Sequence, residues 1–215
     1  MPDSNQVFLS TAYLPNIQYF SKILNCENIF IEIHENFQKQ SYRNRATILG
    51  ANGPLDLVVP VIKPEGNHTG IRSVLIDYSI PWQRVHWKAI VSAYKNSPYF
   101  EIFEQELFPI YQCSQKYLLD WNLLILDYMF SITGVQKKYS TTEKYNIQME
   151  EDTLDFRNTI HPKKRMQKND LNFETIPYHQ VFSNKFDFFP NLSFIDLLFN
   201  EGPQAISICR QCYKK

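Results

Sequence analysis

Gln38-Lys39-Gln40-Ser41-Tyr42-Arg43-Asn44-Arg45 gathers three cations among amide and hydroxyl side chains, directly ahead of an apolar, strand-like run. Lys and Arg seldom go fully inside a protein without a partner. A basic segment joined to a core strand therefore reads as an anion receptor held in place by the fold. In an extended chain Arg43 and Arg45 share one face and Asn44 points to the other. Two guanidinium forks side by side suit phosphate or carboxylate, and Lys39 can add a point charge. The competing reading is a strand edge whose charges are absorbed by Glu32 or Glu35.

Other residues offer further chemistry. His86 lies on a helical apolar stripe, where it can act as a general acid or base or serve as a hydrogen-bonded core residue. The loop 12–16 follows the first strand and leads into a helix. That is where open α/β sheets bind ligands and where helix amides attract anions, with Tyr13 and Tyr19 on either side. There is no Gly-rich phosphate fingerprint and no G-x-S-x-G. Cys209 and Cys212 form a single C-x-x-C without a second Cys/His pair at useful spacing, so no metal site is expected and no cofactor can be named. Asp196 reads as an exposed position on a late helix.

The elements that must position these groups follow from periodicity. Residues 7–11 read as a buried strand, Pro15 opens a helix to about Leu24, and Ile29, Ile31 and Ile33 mark a second strand, together a βαβ unit. Residues 43–49 and 55–61 read as a hairpin around Asn52-Gly53-Pro54, with Leu55, Leu57, Val59 and Val61 on one face. Pro81 starts a helix carrying Trp82, Val85, His86, Ala89 and Ala93 on one stripe. Residues 99–111 form another helix interrupted at Pro109, and residues 117–132 a helix apolar almost all round. The stretch at about 134–175 is polar with little periodicity and reads as a lid, linker or insertion. A last helix ends by Asn200, started by Asn191 or Ser193 and stopped by Gly202-Pro203. The expected class is α/β: an N-terminal mixed sheet beginning with a βαβ unit, covered by helices from the middle and C-terminal parts, in one domain over 1–215.

With 22 basic and 22 acidic residues in 215, the chain lacks the basic excess of a nonspecific nucleic-acid binder. Its most apolar run is broken by Asp120, Asn122 and Asp127, so no membrane span is expected. Without an apolar leader the expected location is cytoplasmic, with reduced thiols. The 16 Phe and 13 Tyr suit either an aromatic core or a site for planar or sugar-like ligands.

Taken together, the motifs resemble one family. Thr11-Ala12-Tyr13-Leu14-Pro15 with Tyr19-Phe20 and Lys22 resembles the opening of the WbqC-like protein family, and Lys39 to Asn44-Arg45 is similar to its K-x-x-x-x-N-R segment. Val59-Pro60-Val61, Trp82, His86-Trp87, Tyr94, Ser97-Pro98, Asn122, Asp155-x-Arg157 and His161-Pro162-Lys163 fit the same pattern. The ending, Phe189-Pro190-Asn191-Leu192-Ser193 to Asn200-Glu201-Gly202-Pro203, is similar to a Bacteroides-type branch. One departure is Thr-Ala where many members have Gln-Pro before Tyr-Leu-Pro. The resemblance covers nearly the whole chain. It implies bacterial surface-polysaccharide (O-antigen, lipopolysaccharide) biosynthesis, with a group transferase acting on a nucleotide-linked sugar or aminosugar. Lys39, Arg43 and Arg45 would then hold the diphosphate, with Asn44 also a ligand-binding candidate, Tyr13 and Tyr19 would pack on sugar or base, and His86 would move the proton. The alternative is a noncatalytic ligand-binding or assembly protein of the same pathway. Self-association stays open.

Overall fold

The computed structural model of the protein describes residues 6–145 and 153–214. Its opening βαβ unit forms as the periodicity predicts. Strand β1 (Gln6–Ser10) buries Val7 and Leu9 by alternation. Helix α1 (Ile17–Asn25) buries Ile17, Phe20, Ile23 and Leu24, and β2 (Asn28–Glu32) returns parallel to β1 with Val7 opposite Ile29 and Leu9 opposite Ile31. Phe20 stacks on Phe194 at 4.1 Å between ring centres, fixing α1 against the C-terminal part of the chain. Burial of such a ring stabilises by roughly 1.5–3 kcal/mol.

β3 (Arg45–Gly50) and β4 (Gly53–Val58) form the expected hairpin, turning at Gly53 with φ 107°, a conformation that favours glycine. The face expected to be inward is only half so: Leu57 and Val59 are buried, while Leu55 is exposed. β5 (Val61–Ile62) pairs antiparallel with β6 (Leu75–Ile76). Three helices follow: α2 (Trp82–Tyr94), α3 (Phe100–Gln112) and α4 (Leu118–Thr133). The break expected at Pro109 does not occur, and α3 runs through it. Val85 is exposed although its helical stripe was read as inward. α4 ends at Gly134, whose φ of 65° supplies the left-handed cap. Among the described residues no helix is long and apolar enough to cross a membrane.

The polar stretch at 134–175 contributes half of the central sheet. β7 (Tyr139–Thr141) pairs with β2, and β8 (Thr153–Asp155) pairs with β1, both parallel. Residues 146–152 of that stretch lie outside the described residues. Each strand is three residues long, too short for a period to register in sequence. The sheet order is β7-β2-β1-β8, so parallel pairing sits in the central sheet and antiparallel pairing in two separate ribbons.

α5 (Phe194–Glu201) and α6 (Ala205–Gln211) close the fold. Between them Gly202 has φ 53°, and a Cβ there would lie 2.4 Å from the Tyr99 ring, so glycine is required twice over. Asp196 of α5 is not exposed. It is 1% accessible and accepts hydrogen bonds from Tyr94 (2.7 Å) and Tyr178 (2.6 Å), and burial pushes its pKa up to about 6. Cys209 is buried, with its thiol 3.5 Å from the Ile17 carbonyl.

Lys22, on α1, anchors residues 170–173. Its side chain is fully buried, with Nζ 2.9 Å from both Asp170 Oδ1 and the Asn172 carbonyl and over the rings of Phe156 and Tyr213 at 4.4 and 4.8 Å. Burial lowers its pKa and Asp170 opposes that shift. Asp170→Ala strands a buried ammonium and should cost about 3–5 kcal/mol in urea unfolding. Adding Lys22→Met to that variant should recover a substantial part of the loss. A double variant less stable than Asp170→Ala would show that the pair is not coupled in this way.

Candidate functional site

The carboxyl ends of the parallel strands carry an unusual density of charge. Glu32 ends β2, Asp155 ends β8, and Glu35 and Arg157 follow within three residues. β1 is central, with β2 on one side and β8 on the other. The carboxyl ends of such parallel strands are where open α/β sheets bind ligands.

Two guanidinium groups neutralise the edge from within. Arg157 donates Nη1–H to Glu32 (2.9 Å) and both Nε–H and Nη2–H to Asp155 (2.9 and 2.8 Å), with its side chain 1% exposed. Glu32 also accepts from the His34 amide and from Thr142 Oγ1, each at 2.7 Å, which ties β2 to the segment after β7. Arg43 grips Glu35 in a two-pronged pair through Nε (2.7 Å) and Nη2, and Nη2 also donates to Ser10 Oγ at 2.7 Å. Ser10 Oγ in turn donates to the Arg157 carbonyl at 2.8 Å, which joins the two clusters. Against these clusters Ser10, Thr11, Tyr19, Tyr42, Arg43 and Phe156 help to enclose a void of about 10 Å³, space for about one water. Thr11 Oγ1 is buried there without a hydrogen-bond partner among the described residues.

Outside this floor lies a groove of about 900 Å³ bounded by the β3–β4 ribbon, residues 159–175 and residues 189–192. Arg45 lines it and pairs with Asp56 at 2.8 Å, partly exposed. Lys163 and Lys168 line it from the other side. His161 is 7% exposed and lines an adjoining cavity of about 810 Å³ together with Lys39, Arg165 and Lys168. Burial lowers the pKa of His161, with Arg43, Lys163 and Arg45 adding to the shift.

The expected pairing of Arg43 with Arg45 on one strand face does not form. β3 begins at Arg45, so strand alternation does not reach Arg43, which lies in the turn before it. Arg43 is consumed by Glu35, one of the two acids the competing reading named. Asn44 donates to the Val59 carbonyl at 2.8 Å and is buried as a backbone clamp. The helix terminus also differs from expectation. The first amides of α1 bind the Leu192 carbonyl, Asn191 Oδ1 and Asn16 Oδ1, so they are not offered to an anion. Of the two residues read as starting α5, Ser193 sits at its N-cap, while Asn191 Oδ1 accepts the Gln18 amide at the start of α1.

Tyr19 is buried and donates to the Ser10 carbonyl at 2.8 Å, under the floor. Tyr13 and His86 lie elsewhere together: Tyr13 Oη is 2.9 Å from His86 Nδ1 and 2.8 Å from Tyr111 Oη, and Trp82 packs edge-on against the imidazole. Burial pushes the His86 pKa down to about 4. The structure thus puts Lys39 and His161 on one cavity, Arg45 on the adjoining groove and Arg43 in the floor, and sets His86 in an aromatic cluster. His161 stood in the sequence within His161-Pro162-Lys163, but nothing local marked it as buried.

A histidine held neutral in the fold and protonated when unfolded stabilises fully above the ordinary imidazole pKa and progressively less as pH falls toward 4. The gap in unfolding free energy between wild type and His86→Asn should therefore narrow by about 2 kcal/mol from pH 7 to pH 5. A gap that stays constant or widens would contradict a neutral, buried His86.

The profile of the WbqC-like protein family matches residues 11–168. A protein of Mycobacterium tuberculosis named "Uncharacterized protein Rv1507c" is 25% identical over 228 aligned residues, covering 95% of this chain and 96% of that one. No solved structure matches. The matched span contains α1, β2, the Lys39–Arg45 segment, α2 to α4, β8 and His161, that is, most of the sheet edge and its charged residues. The chain belongs to the WbqC-like protein family.

Proposed function

We propose that the protein is an enzyme of bacterial surface-polysaccharide biosynthesis, a group transferase acting on a nucleotide-linked sugar or aminosugar. The observation that carries this reading is the two-part groove at the carboxyl edge of the parallel sheet. Its floor is neutralised internally, while Lys39, Arg45, Lys163, Arg165 and Lys168 line its walls. Together its volume suits a ligand larger than a monosaccharide. Thr47, Asp56, Thr159, Asn169 and the rings of Tyr42 and Phe173 in the larger part offer the mixture of acceptors, donors and flat apolar surface that sugars and bases use. Family membership supports the pathway only through the association that the family carries.

A second reading is noncatalytic binding or assembly in the same pathway. Ile80, Val85, Ile102 and Phe108, on or beside α2 and α3, are exposed apolar side chains, which suit contact with another protein.

Calorimetric titration against UDP-, GDP-, CMP- and dTDP-sugars tests the substrate class. At least one nucleotide sugar should bind with micromolar affinity and raise the melting temperature, whereas the matching free sugar should do neither. Failure of the whole panel at millimolar concentration would rule out the substrate class.

A further inference from the structure

The two parts of the groove differ in charge. The larger contains Asp56 and Asp170, each already engaged, by Arg45 and by Lys22. The smaller, about 810 Å³, has Lys39, Arg165 and Lys168 along its walls and no carboxylate among its described lining residues. None of these three cations makes an ion pair among the described residues. Gln167 and Lys168 line both parts, so a ligand can pass from one to the other.

His161 gives the smaller part a buried and oriented donor. Its Nδ1 accepts the Lys163 amide at 3.0 Å, and its carbonyl accepts from Gln167 Nε2 at 2.9 Å. An acceptor Nδ1 carries no proton, so the neutral ring must carry it on Nε2. Among the described residues no group is bonded to Nε2. The neighbouring cations and burial favour this neutral form. Protonating Nδ1 would break the bond to the Lys163 amide, so the ring presents a fixed N–H rather than a base.

We propose that the carboxylate-free part of the groove is a diphosphate subsite, in which Lys39, Arg165 and Lys168 neutralise the anion and the Nε2–H of His161 donates to one phosphate oxygen. The sugar then extends past Gln167 and Lys168 into the larger part, beside Asp56 and Tyr42. This assignment rests on the nucleotide-sugar reading for its sugar half and on the groove's charge alone for its phosphate half.

The test uses the full chain with inorganic pyrophosphate, UDP and a nucleotide sugar that binds. Lys39→Ala combined with Arg165→Ala should weaken pyrophosphate and UDP at least tenfold each. Thr47→Val, in the larger part, should leave pyrophosphate unchanged. His161→Ala should cost about tenfold, and His161→Gln, which keeps an amide donor near the Nε2 position, should restore most of it. Long-range ¹H–¹⁵N spectra at neutral pH should show the His161 ring as the Nε2–H tautomer. Unchanged pyrophosphate affinity in the Lys39/Arg165 variant, or an Nδ1–H tautomer, would overturn the subsite. Pyrophosphate binding that needs these residues, with no nucleotide sugar bound by wild type, would keep the subsite and remove the substrate reading.

Discussion

Three carboxylates meet at one edge of a parallel sheet, and the fold survives only because two arginines reach in to neutralise them. Glu32 and Glu35 come from the end of β2 and just beyond it, Asp155 from the end of β8, and leaving buried Glu32 or Glu35 unpaired would cost several kcal/mol. Arg157 bridges the ends of β2 and β8, although β1 lies between those strands. Arg43 bridges the turn before β3 to the segment after β2, with Ser10 of β1 as the shared hydroxyl. The positions of the β3–β4 ribbon and of the 155–161 segment against the sheet both follow from these contacts.

That constraint sorts the basic residues into two groups. Arg43 and Arg157 serve the interior and have little left to offer a ligand. Lys39, Arg165 and Lys168 stay unpaired among the described residues, and Arg45 keeps only a partly exposed partner. A ligand that binds here meets cations on the walls above a floor that holds three acids against two arginines. The local field therefore favours an anion at the walls rather than at the strand ends. The same packing explains why the start of α1 is no anion site: Asn191 and Leu192 already take its amides, and that contact positions the far wall of the groove.

Much of this was legible in the sequence, and the misses share a cause. The βαβ opening, the hairpin and the buried α4 have periods long enough to read. β7 and β8 do not, because three-residue strands gain their place from neighbours rather than from their own pattern. The basic segment was visible, but alternation was extended two residues beyond the real strand, which put Arg43 beside Arg45. His86 stood out because it lay on a clear helical stripe, and the same stripe is what buries it against Tyr13 and Trp82. His161 sat in an aperiodic segment, and the cavity it shares with Lys39 joins parts of the chain more than a hundred residues apart. Asp196 looked exposed because its partners, Tyr94 and Tyr178, are remote in sequence.

The central claim is that Arg43 belongs to the framework and Arg45 to the ligand-facing wall. Urea unfolding and nucleotide-sugar titration of Arg43→Met and Arg45→Met, made on the same preparations, test it most directly. The account predicts that the Arg43 variant loses about 3–5 kcal/mol of stability, because Glu35 is left buried without its partner. It predicts that the Arg45 variant loses under about 1 kcal/mol yet binds at least tenfold more weakly. An Arg43 variant as stable as wild type, or an Arg45 variant that binds unchanged, would contradict it.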